Sequence, residues 1–534
     1  MAKLEKILPK AATEGDDYIV GTEWAEVIEG LGGDDKIKAK GGDDTVRGGD
    51  GEDTIKGGGG DDVMLGDRGN DKIYGEYGND TNIWNNGDGT DKFYGGKGWD
   101  TQIVNGSADL GDEFLIQAYG EKVQLDRVNF GQFGVTMKDV EELKVNGLGG
   151  DDTIEAGEGL ADLIKLKLSG GEGHDFIRGG DGEDKIYGDE GDDLTVGFRG
   201  NDKIYGGYGD DTNVWNNGDG TDVFKGGKGY DTQIVNGADA AGDAFTIEAY
   251  GEKVEFAREN LGPFGITLKQ VEELQVNGQG GDDTIEAGEG LADIIKLKLS
   301  GGEGNDEIIG GDGNDKLYGD EGDDELEGEV GDDSMFGGAG DDTMEWDNGD
   351  GSDLMEGGEG YDTAEVEGAL EAGDHFVIEA NGDRVAFERV NLGNFTLDIG
   401  TTEKLEVDGA GGDDTIEAGK GLDKLIELKL SGGKGNDWIE GGDGDDWIDG
   451  GKGYDVMTGG EGADTFVFKK GEDVITDFEK GVDKIVMEKY DAYWEFEAKI
   501  EQHGDDVTIE YGKNSLTIEN VETWELNESD FMFV

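Results

Sequence analysis

The sequence predicts an all-β protein: a parallel β-roll, or β-solenoid, of GGxGxDxUx nonapeptides (U apolar), interrupted by β-rich spacer segments and closed by a C-terminal β cap. Three observations predict it. Glycine recurs as a pair or near-pair every nine residues, as in "GGDGEDTIKGGGGDDVMLGDRGNDKIYG" (Gly48–Gly75). In each nonapeptide an Asp stands at the sixth position and an apolar residue at the eighth. A larger unit returns every 131 residues: "GGDDTIEAG" begins at Gly149, Gly280 and Gly411, and "NNGDGTD" at Asn85 returns at Asn216 and, as "DNGDGSD", at Asp347.

Composition narrows the classes. The chain has 534 residues with 105 Gly, 2 Pro, no Cys and a formal charge of −85. A period of nine with almost no proline excludes collagen. No basic face exists to meet nucleic acid. Without cysteine there are no disulfides and no thiolate metal sites. No apolar run reaches the roughly 18 residues of a membrane-spanning helix, and the N-terminal "MAKLEKILPKAATEG" is a poor secretory signal. At this charge a metal-free chain repels itself. The apolar residues are nevertheless placed periodically, which a disordered chain does not need; a multivalent cation reconciles the two.

The elements follow in order. Residues 1–30 form a lead-in and cap, in which "GTEWAEVIE" (Gly21–Glu29) has Trp24 for the fourth-position glycine and Glu26 for the Asp. Residues 31–103 are the first roll, 148–234 the second, 279–365 the third and 410–467 the fourth. Each nonapeptide reads as a turn plus a short strand. Its glycines accept the φ > 0 conformations that other residues resist, and its last three or four residues have strand character with one inward apolar side chain. Two nonapeptides make one coil, and a single coil buries too little apolar surface to stand alone, so coils stack. Spacers at 104–147, 235–278 and 366–409 lose the beat and alternate apolar with polar residues, as in "AFTIEAY" and "KVEFA", the period of half-buried strands. They are expected to break the roll. "GLADLIKLKLSGG" (Gly159–Gly171) reads as a helical turn leading into a strand.

Stacking places Asp over Asp at about the 4.8 Å strand spacing. Carboxylates so close repel unless a cation lies between them, and an all-oxygen donor set of carboxylates and glycine carbonyls suits Ca²⁺ better than Mg²⁺. "GGDGEDTIK", "GGEGNDEII" and "GGDGNDKLY" resemble the GGxGxDxUx nonapeptide of the RTX (repeats-in-toxin, haemolysin-type) proteins, in about 28 turns over roughly half the chain. The resemblance implies a parallel β-roll, folding on many Ca²⁺ ions outside the cell, and a type I ABC exporter as partner during secretion. It implies side-chain ligands at Asp35, Asp44, Asp53, Asp62, Asp71, Asp91 and Asp100 in the first roll, and at Asp152, Asp175, Asp184, Asp193, Asp202, Asp222 and Asp231 in the second. The third roll supplies Asp283, Asp306, Asp315, Asp324, Asp333, Asp353 and Asp362, and the fourth Asp414, Asp437, Asp446, Asp455 and Asp464. Asp80, Asp211 and Asp342 are left out, because "NDTNIWNNGDGTD" carries two extra residues that perturb the stack.

Residues 468–534 form the C-terminal cap and secretion signal. "GGEGADTFVFKKGEDVITDFEKGVDKIVM" (Gly459–Met487) resembles the roll end of serralysin-type proteases, which implies that Asp473 and Asp477 complete the last sites. Asp530 followed by Phe531, Met532, Phe533 and Val534 resembles the acid-plus-hydrophobics terminus read by the exporter; the alternative is a plain closing strand. No H-E-x-x-H, G-x-S-x-G or G-x-x-x-x-G-K-[ST] occurs, and the three histidines are isolated. Trp84, Trp215 and Trp346, 131 apart, read as interior filling where the insertion widens the roll, with a glycan-binding ladder as the other reading. The functional expectation is a secreted, non-catalytic calcium-binding structural, surface or matrix protein, with self-assembly or a cell-surface polysaccharide as partner. The alternatives are a calcium-dependent enzyme with a site in the spacers or tail, and a glycan-binding solenoid.

Overall fold

The computed structural model describes residues 12–129, 131, 133–260, 262, 264–487 and 499–533. The start of the lead-in (1–11) and Val534 fall outside them. The chain divides into two units, one of residues 1–236 and 249–275, the other of 237–248 and 276–534. The expected all-β parallel roll is present in each.

In the first unit, successive strands alternate between two parallel sheets. One stacks Tyr18–Val20, Lys36–Gly41, Thr54–Gly59, Lys72–Tyr77 and Thr90–Lys97, aligning Ile19, Ile37, Ile55, Ile73 and Phe93. The other stacks Val27–Gly32, Thr45–Asp50, Val63–Leu65, Thr81–Asn85 and Thr101–Asn105, aligning Ile28, Val46 and Met64. These eighth-position side chains are fully buried. The core is therefore a file of single apolar residues per strand, thin by construction.

Within each unit a spacer continues the roll instead of breaking it. In the first unit, Glu113–Tyr119, Lys122–Arg127 and Phe133–Lys138 form an antiparallel meander. Its last strand pairs in parallel with Thr90–Lys97 and its first with Thr153–Ala156. On the opposite sheet Thr101–Asn105, Glu142–Gly149 and Lys165–Glu172 follow one another directly. The alternation read in the sequence was that of strands, but their edges carry free backbone groups that the neighbouring coils satisfy, so pairing continues through the insertion. The second unit repeats this with His375–Asn381, Arg384–Arg389 and Phe395–Gly400 between Leu354–Glu359 and Thr415–Ala418. The meanders thicken the core: Phe114, Ile116, Leu125, Val135 and Met137 are buried in one, Phe376, Phe387, Phe395 and Leu397 in the other.

Trp84, Trp215 and Trp346 are at most 1% exposed. Each indole N–H donates to a carbonyl in its own widened turn, of Gly89, Gly220 and Gly351 respectively. They fill the interior, and the surface-ladder reading of these three falls. The turn in "GLADLI" is present, closed by Ile164 N–H to the Leu160 carbonyl at 3.1 Å. At the C-terminal end, Glu472–Ile475 pairs with Asn514–Ile518, the last strand of a meander that includes Ile500–His503 and Asp506–Tyr511. Phe531–Phe533 is a closing strand on Lys484–Met487 with Phe531 buried. Among the described residues no helix is long and apolar enough to cross a membrane.

Candidate metal ladder

Asp53 shows how one rung is built. The glycine turn before it uses φ of +115° at Gly49 and +142° at Gly51, conformations that an L side chain resists. This turn brings Asp53 under the edge of the sheet, where it is 1% exposed. Its Oδ1 accepts the backbone N–H of Asp35, one coil back, at 2.7 Å, and its own N–H donates to Oδ1 of Asp71, one coil on, also at 2.7 Å. Oδ2 is buried and has no hydrogen-bond partner. It points into a cradle of oxygen: a Cβ placed on Gly48 would lie 2.2 Å from Asp53 Oδ2 and 2.6 Å from the Gly66 carbonyl. Glycine at the first position thus keeps open a space that an acid and a main-chain carbonyl share.

The rung repeats along both edges of the roll. Amide-to-carboxylate bonds run from Asp17 through Asp35, Asp53 and Asp71 to Asp91 on one edge, and from Glu26 through Asp44, Asp62 and Asp80 to Asp100 on the other. Glu26 lies within the ladder, taking the place of an Asp. Further on, Asp152, Asp175, Asp193, Asp211 and Asp231 form one run and Asp184, Asp202 and Asp222 another. In the second unit the runs are Asp283, Asp306, Asp324, Asp342, Asp362; Asp315, Asp333, Asp353; Asp414, Asp437, Asp455, Asp473; and Asp446, Asp464. All the expected ligands except Asp477 are buried, and all of those except Asp446 accept a main-chain N–H within these runs or at their first rungs.

Asp477 differs. It is exposed, and its two oxygens accept the N–H groups of Gly459 and Gly460 at 3.0 and 2.9 Å. No glycine turn precedes it to carry it under the sheet edge. Asp80, Asp211 and Asp342, left out of the expected set, stand in the same hydrogen-bonded ladder. The two inserted residues are absorbed by a longer step of 20 residues to the next rung. Also missed were Glu141, Glu272 and Glu403, which end ladders by accepting the N–H of Asp100, Asp231 and Asp362. Their spacing of 131 was the available signal. Asp112 and Asp374, in the spacers, continue the ladder on to Asp152 and Asp414.

Electrostatics sets the ladder under strain. Burial pushes the carboxyls of Asp53 and Asp62 up to about 6 and Asp71 and Asp80 to about 7; the main-chain hydrogen bond opposes the rise and neighbouring carboxylates add to it. Asp202 is pushed to about 9 by burial and by Asp222 beside it. Such groups are costly to ionise unless a cation reaches them. Among the described residues no three His, Cys, Asp or Glu side chains converge as a cage, so main-chain carbonyls have to complete any coordination sphere. The donors are all hard oxygens, and the orphaned Oδ2 atoms beside glycine carbonyls fit Ca²⁺.

Fold and site together define a β-solenoid whose edges are ladders of cation-seeking carboxylates. The sequence match agrees: residues 12–46, 20–55, 29–64, 56–81, 144–159, 167–195, 196–212, 275–290, 298–326, 318–345, 406–426, 429–457 and 449–475 match the RTX calcium-binding nonapeptide repeat. The chain is an RTX-repeat protein. No curated protein matches it. Among solved structures, the extracellular lipase LipA from Serratia marcescens matches at 18% identity with a TM-score of 0.20, over 50% of this chain and 45% of the lipase. The chain thus spans under half of that structure's length, and at this score the likeness bears on neither fold nor activity.

Proposed function

We propose that this chain is a secreted, non-catalytic calcium-binding protein that folds on meeting Ca²⁺ outside the cell and serves there as a stiff structural, surface or matrix element. One observation carries the reading: file after file of buried carboxylates, all but Asp446 with one oxygen held by a main-chain N–H and, in most rungs, the other left without a partner. Ions that bind only the folded chain stabilise it by mass action. At a formal charge of −85 that contribution decides between an expanded and a compact chain. Inside a cell, where free calcium is scarce, the chain would stay expanded and fit for passage through a type I exporter. The test is a calcium titration followed by circular dichroism and small-angle scattering. β-signal and compaction should rise together on adding Ca²⁺ and fall together with chelator. Full β-signal in chelator at neutral pH would sink the reading.

A further inference from the structure

The rungs at Asp374 and Asp112 do not fit a metal ion. At Asp374, Oδ2 accepts the Ala369 N–H at 2.7 Å, and Oδ1 lies 2.5 Å from Nη2 of Arg389. The same arrangement holds 262 residues earlier in the other unit: Ser107 N–H donates to Asp112 Oδ2, and Arg127 Nη2 pairs with Oδ1. Both partners are buried in each case, Asp112 and Arg127 at 0 and 3%, Asp374 and Arg389 at 2 and 5%. At ordinary rungs such as Asp53 one oxygen is left bare beside a glycine carbonyl; here an amide engages one oxygen and a guanidinium the other. The guanidinium also reaches out of the spacer. Arg389 Nη1 donates to Asn348 Oδ1 at 2.7 Å, and Arg127 Nη1 donates to Asn86. Both asparagines lie in the widened "NNGDG" or "DNGDG" turns, which explains why that turn and the spacer recur together.

We infer that at Asp112 and Asp374 an arginine supplies the cation that calcium supplies elsewhere, so that the spacers hold their fold without the metal. Arginine stays charged at all relevant pH, so these rungs are neutralised from within the chain whatever the calcium level. A buried ion pair is strongly destabilised by loss of one partner. The spacer strands also add aromatic packing: the rings of Trp346, in the adjoining turn, and Phe395 stack 3.8 Å apart, with Phe387 next to Phe395. The calcium-free chain is then not uniformly expanded. It carries ordered spacers between disordered rolls, each a template on which the adjoining coils add when calcium arrives.

The inference rests on calcium-dependent folding of the rolls, and hydrogen exchange of the full chain in chelator separates the two. Peptides within 112–138 and 374–400 should exchange at least about 100-fold more slowly than those within 35–75 and 306–345. Arg389→Gln should remove protection from 374–400 and leave 112–138 protected, which excludes global misfolding; Arg389→Lys, keeping the charge, should retain part of it. Spacers that exchange as fast as the rolls in chelator would overturn the inference, as would an Arg389→Gln chain that keeps full protection at 374–400. Protected rolls in chelator would instead overturn the calcium reading.

Discussion

Asp202→Asn should act in opposite directions with and without calcium. Asparagine keeps an Oδ1 that can accept the Asp184 N–H, a bond of 2.7 Å, and removes only the charge. Without metal, the carboxyl stands at about 9. Raising an aspartate from its ordinary 3.8 to a state that is protonated at pH 7 costs about 4 kcal/mol, taking about 1.4 kcal/mol for each unit between 3.8 and 7. The amide avoids that cost, so in chelator the rung should open up to about a thousandfold less often. With calcium, the same change deletes a charged donor. A charge-assisted contact contributes about 1.5–3 kcal/mol, so the calcium needed to close the rung should rise between roughly tenfold and a hundredfold. Hydrogen exchange at the Asp184 amide, in chelator and across a calcium titration, reads both terms. A change of the same sign in both conditions, or an unmoved calcium midpoint, would refute the idea that this carboxylate exists for a cation.

Other outcomes follow from the same ladder. Gly188→Ala should raise the local calcium requirement as Asp202→Asn does, because its Cβ would fall 2.2 Å from Asp193 Oδ2 and 2.7 Å from the Gly206 carbonyl; isothermal titration that finds unaltered binding would count against the cradle. In chelator the chain should gain β-structure as pH falls from 8 towards 5. Folded values near 6 for Asp53 and 7 for Asp71 lie above the unfolded 3.8, so the stability these groups give the metal-free fold is full below about 4 and is lost as pH rises through 6–7; circular dichroism that stays flat to pH 4 would contradict this. Ile186→Ala, at a fully buried position, should cost about 2–5 kcal/mol and show as faster exchange in neighbouring coils, with distant coils unaffected.

Much of this was legible because the chain is its own alignment. The nine-residue beat gave the turn, the strand and the inward residue, and the physics of stacked acids gave the cation. What stayed hidden depended on contacts between distant parts of the repeat. The spacers read as interruptions, since nothing local says that Phe133–Lys138 will pair with Thr90–Lys97. Asp80 looked displaced by a two-residue insertion, yet the widened turn closes around Trp84 and leaves the rung in place. Asp477 looked like one more acid in a family pattern, but without a glycine turn before it the carboxylate stays outside and caps two amides.

The neighbouring position in each turn shows why charge, and not merely a hydrogen-bond acceptor, is required at the buried rung. The fifth residue of the nonapeptide forms a ladder too: Asp34 accepts the N–H of Glu52, Asn79 that of Trp99, Asn305 that of Asp323 and Asn436 that of Tyr454. There the chain uses Asp and Asn interchangeably, and at residue 174 a histidine whose Nδ1 accepts the Asp192 N–H at 2.9 Å. Any acceptor serves, since the job is to hold one amide in an exposed turn. The sixth residue makes an equivalent bond through Oδ1, so by that criterion asparagine would serve as well and would avoid the cost of burying a charge. The rolls place Asp there instead, turn after turn. The excess of the sixth position over the fifth lies entirely in Oδ2 and its charge. A charge kept so consistently at a buried site, against a cost of that size, has a counter-ion as its physical reason.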